Sequence, residues 1–548
     1  MDAKNLFVQA ATSARHKTTG RSPGARHYAR LFTAAGLIGL ASCGGGGGGS
    51  PSPAPAPSPG AYTPGVFPAS TTFAAKCAAP RSGMDPITGV PFPDVMGSTV
   101  DENNWLRSWT NELYLWYREV PDLDPANTPT TAAYFALLKT SATTPSGQLK
   151  DHFHFTLSTA EWESFSQSGA TAGYGATWEL ISPTVPRNVV VAFTEPGTPA
   201  VTANLVRGAQ VLTVDNVDVV NATGQANVNA LNAGLFPTAA GQMHTFSILD
   251  PGAAAPRTVS MTSANITETP VQNVGVIQGT TVGYMLFNDH IATAEQALMT
   301  AVTRLKSQNI TDLVLDLRYN GGGYLDVASE LAYMIAGSAA TTGKTFELTT
   351  FNDKHPTTNP VTRSPIMPVP FHPTALGFSV PAGTALPTLN LPRVFVLTSG
   401  GTCSASEAVI NSLRGIGVTV YQFGSTTCGK PYGFYPQDNC GTTYFSIEFK
   451  GVNQIGFGDY SDGFSPMNTV ANAGVTVAGC SVADDFSHAL GDPNERQLGA
   501  ALAYLATPGT CPAPSGKLAR AQSMRAGALG GEGIGRESPW RTNRIYRR

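Results

Sequence analysis

The chain has 548 residues, 42% of them hydrophobic, with 58 glycines, 41 prolines and a formal net charge of −3. That length holds two to four domains with sizeable cores, joined by many turns and linkers. The near-neutral balance gives no electrostatic pull toward nucleic acid or an acidic partner, and neither is expected.

At the N-terminus, Arg21, Arg26 and Arg30 precede the apolar run LFTAAGLIGLAS, which is too short to span a bilayer and predicts a signal peptide over 1–43. LASC at 40–43 resembles the bacterial lipobox, which implies lipid attachment at Cys43 and a place in the bacterial cell envelope, facing the periplasm or the cell surface. GGGGGGSPSPAPAPSPG then predicts a tether over 44–75, flexible where glycine-rich and stiffer where proline-rich. Six cysteines remain after Cys43, an even number that favours disulfides in an exported chain. Proximity in sequence pairs Cys428 with Cys440 and Cys480 with Cys511, leaving Cys77 for Cys403, although six cysteines allow fifteen pairings. No C-x-x-C or H-E-x-x-H motif occurs, so neither a metal site nor a cofactor is expected.

Residues 76–168 predict a small helical subdomain, with Trp105, Trp109, Leu113 and Trp116 at helical spacing and a second helix over AAYFALLKT (132–140). In DHFHF (151–155) the alternation predicts a half-buried strand in preference to metal binding by His152 and His154. From 169 to 266 the texture changes to short strands and turns. There PGTPAVTANLVRGAQVLTVDNVDV (196–219) resembles a PDZ domain, with Ala209 where that pattern usually has Asp. GYGA, the residues Gly173, Tyr174, Gly175 and Ala176, is similar to the PDZ loop whose successive backbone N–H groups hold a peptide's terminal carboxylate.

Residues 267–511 alternate strand and helix: a strand in TVGYMLFNDH, a helix over ATAEQALMTAVTRLKSQ, and a buried strand in TDLVLDL. RYNGGG and a helix over 324–336 follow, and then RVFVL (393–397) leads into GTCSASE and a further helix. This plan predicts an α/β sheet flanked by helices, with chemistry at the carboxyl ends of its strands. Ser404 and Glu407 also fit the capping box S-x-x-E. Lys430 follows the strand over 418–423; Pro431 biases it toward extended backbone, and its near neighbours include no acidic residue. A lysine desolvated there, falling from about 10.4 to about 7–8, would serve as a general base.

DLRYNGGG (316–323), GTCSASE (401–407) and TTCGK (426–430), in this order behind a PDZ-like region, resemble the C-terminal processing, or tail-specific, serine peptidases. The resemblance runs from about 169 to 504. It implies Ser404 as nucleophile, Lys430 as general base, and the amides of Gly322 and Ala405 as oxyanion donors. It also implies substrates that are unstructured or C-terminal stretches of polypeptide. Phe434 departs from the pattern, standing where the family often has a Gln that positions the lysine; Gln437 is nearby but out of register. His290 is an alternative base, with a structural role the favoured reading. A G-x-S-x-G match at 20–24 lies in the targeting segment. The expected architecture is α+β and multidomain: a helical subdomain, a PDZ-like β domain, an α/β peptidase core and a disordered basic tail over 512–548. The competing reading is a non-catalytic, peptide-binding lipoprotein.

Overall fold

The computed structural model describes residues 62–85, 89–182, 184–470, 472–513 and 544–545. The expected signal peptide, Cys43, most of the tether and most of the basic tail lie outside the described residues. None of the described helices is long and apolar enough to cross a membrane.

Helix α1 (Thr99–Leu113) starts at Ser98, whose hydroxyl accepts from the Asp101 amide at 3.2 Å, and Asp101 and Glu102 place negative charge in its first turn. Trp105 and Trp109 stack on its buried side, ring centroids 5.2 Å apart. The helix stops short of Trp116, because Leu115 donates its N–H to Ile447 O at 2.8 Å and leaves the helical ladder. Helix α2 (Thr131–Leu137) packs beside it. The strand expected at 151–155 is a loop, and pairing begins only at Phe155–Ser158. Asp151 holds the loop: its carboxylate accepts from the Tyr114 hydroxyl at 2.6 Å and from the Phe153 amide at 3.0 Å. His154 stacks on Phe135 at 3.7 Å with Nε2 3.0 Å from Phe135 O, a core contact.

The second unit is an antiparallel sheet of β1 (Ala176–Ser182), β2 (Asn188–Thr194), β3 (Gln210–Val214), β4 (Met243–Leu249) and β5 (Arg257–Thr262), in the order β5-β4-β3-β2-β1. Helix α3 (Gln225–Leu235) packs on it through Leu231 and Leu235. The GYGA segment is fastened to the end of that helix: Tyr174 OH donates to Gly234 O at 2.9 Å and Trp178 Nε1 to Leu235 O at 3.1 Å. Gly175 has φ +76°, and a Cβ there would lie 2.4 Å from Thr198 Oγ1, so only glycine fits.

The third unit is a sheet whose six strands lie in chain order: β6 (Val271–Val276), β7 (Val282–Phe287), β8 (Asp312–Asp316), β9 (Arg393–Thr398), β10 (Thr419–Gly424) and β11 (Gly479–Ser481). Strand β6 runs antiparallel to β7; the rest are parallel. Every residue of β7 and β8 is buried, as a parallel sheet covered on both faces requires. Helices α4 (Ala294–Ser307), α5 (Leu325–Ala336) and α6 (Ala405–Gly415) cover one face through residues such as Leu298, Leu331 and Val409. Helix α7 (Arg496–Ala506) covers the other with Leu498, Ala501 and Tyr504. Within the tail, Arg544–Ile545 pairs in parallel with Gly323–Tyr324, where disorder was expected.

Three disulfides form, and two differ from the expectation. Cys480–Cys511 is as expected, but Cys77 joins Cys440 and Cys403 joins Cys428. Sequence proximity misled because the fold brings the stretch around Cys77 onto Asn439, whose Oδ1 accepts from the Ala75 amide at 2.9 Å.

Arg318 is the buried electrostatic hub behind β8. Its guanidinium grips Glu495 with two bonds of 3.0 Å, Asp484 at 2.6 Å and Asp316 at 2.9 Å. Arg207, from the second unit, adds 2.6 Å bonds to Asp484 and to the Tyr319 hydroxyl, latching that unit to the core. Burial pushes the Asp484 carboxyl up, but the two guanidiniums outweigh it and hold the group below the ordinary aspartate range. Arg318→Ala would leave the buried Asp316 and Glu495 carboxylates without a guanidinium and Asp484 with Arg207 alone, so it is expected to lower stability by about 3–5 kcal/mol, seen as a depressed melting temperature. Arg318→Lys, lacking the two-pronged fork, should fall between.

Candidate active site

Strands β8, β9 and β10 are neighbours, with Asp316 opposite Leu397 and Leu397 opposite Phe423. Their carboxyl ends therefore lie side by side and release three turns into one region: 318–323, 399–404 and 425–430. Parallel sheets collect ligand chemistry at this edge.

Asn320 stitches the first turn to the second. Its backbone oxygen accepts from the Cys403 amide at 3.1 Å and from the Ser406 hydroxyl at 3.0 Å. Its side chain donates to Phe287 O at 3.0 Å, while Oδ1 accepts from the Gly322 amide at 2.9 Å and faces His290 Nδ1 at 2.9 Å. With Oδ1 the acceptor, Nδ1 carries the imidazole proton and Nε2 is bare; Nε2 has no partner among the described residues. Gly323 has φ +130°, and a Cβ there would lie 2.5 Å from His290 O, so the turn and this histidine pack backbone to backbone.

Ser404 sits between the second turn and α6 with φ +59° and ψ −111°, a conformation costing about 1–3 kcal/mol in a non-glycine residue. Such a sharp strand-to-helix turn pushes the side chain out of both elements. Ser404 and Glu407 take up the expected capping-box arrangement, and Ser404 donates its N–H to Glu407 Oε2 at 2.9 Å. The buried Ser404 Oγ has no hydrogen-bond partner among the described residues. The next residue, Ala405, is the first of α6, where helix amides and the macrodipole favour an anion.

Glu407 then reaches the third turn. Its Oε2 accepts from the Lys430 amide at 2.8 Å, and its Oε1 from the Gly429 amide at 2.8 Å and the Thr427 hydroxyl at 2.5 Å. The amides of Ser404 and Lys430 thus share one carboxylate oxygen. Burial pushes the Glu407 carboxyl above the ordinary glutamate range, against the opposing pull of these donors. The Cys403–Cys428 disulfide closes the same junction covalently, and the Cys428 amide donates to Thr402 O at 3.0 Å. Cys403, Glu407 and Cys428 are the one ligand-like cluster among the described residues, and both its sulfurs are spent in the disulfide.

Lys430 is completely buried, with Nζ 4.5 Å from the Phe434 ring centroid and 4.9 Å from that of Phe153. The structure therefore gathers Ser404, Ala405, Lys430 and the GGG turn at one sheet edge. It holds the Gly322 amide on Asn320 Oδ1. Gly173, Tyr174 and Gly175 lie just before the end strand β1 of the second unit, and Ala176 is its first residue. Sequence reasoning missed Asn320, Phe153 and the wider role of Glu407. A cysteine beside the serine and another two residues before the lysine was the available signal for the staple.

Residues 280–433, which include all three turns, match the sequence model of peptidase family S41, and residues 101–154 match that of the peptidase S41 N-terminal domain. A carboxyl-terminal-processing protease from Picosynechococcus sp. is 30% identical over 138 residues, 25% of this chain and 32% of that protein. The match thus spans about a third of the relative's length. A solved structure from Bacteroides fragilis NCTC 9343, described as a candidate S41 protease, superposes over 76% of this chain and 98% of its own with a TM-score of 0.54. At 22% identity that likeness is one of fold.

Burial pushes both His154 and His290 down to about 4, so each stays neutral in the folded chain while the unfolded chain protonates near 6.5. Their contribution is complete above pH 6.5 and is lost as pH falls toward 4, about 3 kcal/mol per histidine. Melting temperatures across this window should fall less steeply for His154→Phe than for the parent chain.

Proposed function

We propose that this chain is a serine peptidase that cleaves polypeptides through a Ser404–Lys430 dyad and an acyl-enzyme. The observation that carries the reading is a strained, buried serine with no hydrogen-bond partner for its hydroxyl among the described residues, tied through Glu407 and a disulfide to the backbone of a buried lysine. An ammonium removed from water loses the hydration that favours it, so burial makes the neutral amine of Lys430 accessible.

In the proposed reaction, the Lys430 amine takes the proton of Ser404 Oγ as that oxygen attacks the scissile carbonyl carbon. The Ala405 amide, at the start of α6, meets the oxyanion. The Gly322 amide joins it by exchanging Asn320 Oδ1 for the substrate oxygen. The Lys430 ammonium then gives its proton to the leaving amine as the C–N bond breaks. Water, deprotonated by the amine, releases the acyl group from Ser404. No metal or cofactor enters these steps. Ser404 and Lys430 are both fully buried, so a polypeptide reaches them when the covering segments part.

The second unit is the proposed tail reader. Its end strand β1 is the last in the strand order among the described residues, where a peptide strand would add, and the GYGA segment leading into it would take the terminal carboxylate. Lipid attachment at Cys43 would hold the enzyme on a membrane of the bacterial envelope, an exported setting that suits three disulfides. Ser404→Ala is expected to abolish hydrolysis of an unfolded polypeptide, a loss of at least about a thousandfold, with unchanged melting temperature. A fluorophosphonate probe should label Ser404 in the parent chain and fail in Lys430→Ala. Undiminished hydrolysis by the serine variant would return the chain to a peptide-binding role.

A further inference from the structure

We infer that Phe153 and Phe434 are positioning residues that clasp the Lys430 amine between two aromatic faces and stabilise it when it carries the serine's proton. The inference rests on the Ser404–Lys430 reading and adds how the base is held.

Three observations carry it. First, Lys430 Nζ lies within cation–π distance of both rings, 4.5 Å from Phe434 and 4.9 Å from Phe153. Second, both rings are buried, and in a desolvated setting the attraction between an ammonium and a ring face is at its strongest. Third, each ring is fixed from behind. The Phe153 amide is anchored on Asp151, which the Tyr114 hydroxyl holds in turn. Phe434 meets Phe445 edge-on at 5.2 Å and Phe155 at 6.1 Å.

The physical consequence is differential. A phenyl face offers its quadrupole to a positive charge and much less to a neutral amine. The clasp therefore acts mainly on the state reached after Ser404 Oγ has lost its proton, which is where stabilisation accelerates a reaction. It also gives Phe434 a purpose at the place where the family resemblance led one to expect a glutamine. Phe153 arrives from DHFHF, so the described part of the chain that precedes the second unit reaches the base as well as packing against the core. The titratable groups around the clasp include Glu407 on α6, Asp151 behind Phe153, His152 with its ring 3.8 Å from that of Phe153, and Tyr432 two residues beyond the lysine.

The test keeps ring shape and varies ring charge. Phe434 is replaced in the full chain by phenylalanines carrying one, two and five fluorines, which progressively cancel the negative face. Hydrolysis of an unfolded polypeptide is followed across pH. The expected result is a stepwise fall in kcat, about tenfold over the series. The acidic limb of kcat/KM should move to lower pH, because an ammonium without its ring faces sheds its proton sooner. Phe153→Leu should move both in the same direction, and Phe434→Tyr, which retains a ring face, should stay near the parent. Titration of the ¹³Cε resonance of Lys430 in a Ser404→Ala background reads the same shift without turnover. An acidic limb and a resonance that stay put across the fluorine series would overturn the clasp, even if kcat falls. A parent chain that neither hydrolyses polypeptide nor takes the fluorophosphonate probe would instead overturn the underlying peptidase reading.

Discussion

The site depends on one buried carboxylate. Glu407 gathers the amides of Ser404, Gly429 and Lys430 and the Thr427 hydroxyl, so a single side chain fixes the serine turn against the lysine turn. Burying a carboxylate is costly, and four donors offset that cost only while all stay in place. The arrangement is therefore close to all-or-none. The strained φ of Ser404 can persist because Glu407, the disulfide and the Cys403 amide on Asn320 over-determine the backbone around it.

That junction exists because of strand order. In a sheet whose strands follow chain order, β8, β9 and β10 deliver their following turns to adjacent places at one edge. Arg318, immediately after β8, anchors the first turn from below through Asp316, Asp484 and Glu495. Arg207 brings the second unit onto the same acidic cluster. The unit proposed to read tails and the edge proposed to cut them thus share an ionic foundation.

Much of this was legible in the sequence. VFVL, DLVLDL and VGYMLF are buried on both sides, and such apolar runs ending in glycine or small-residue turns leave little choice but parallel strands followed by helices. The helices over 294–307 and 325–336 followed from spacing in the same way. What the sequence did not reveal was set by partners distant along the chain. DHFHF alternates like a strand, yet Asp151 accepts from the Phe153 amide and from the distant Tyr114 hydroxyl, and a loop wins. Trp116 keeps helical spacing, yet Ile447 captures the backbone before it. Disulfide pairing followed space, so neighbours in sequence were poor guides. Glu407 read as a cap because its other donors lie some twenty residues away.

The Cys77–Cys440 bond has a mechanical side. It spans 363 residues and fastens the chain just beyond the glycine- and proline-rich stretch onto the part of the molecule that follows Lys430. Tension arriving along that stretch would pass covalently into the core at residue 440, bypassing the helices after residue 98. Those helices, and Phe153 with them, would stay seated under a pull that could otherwise peel them away.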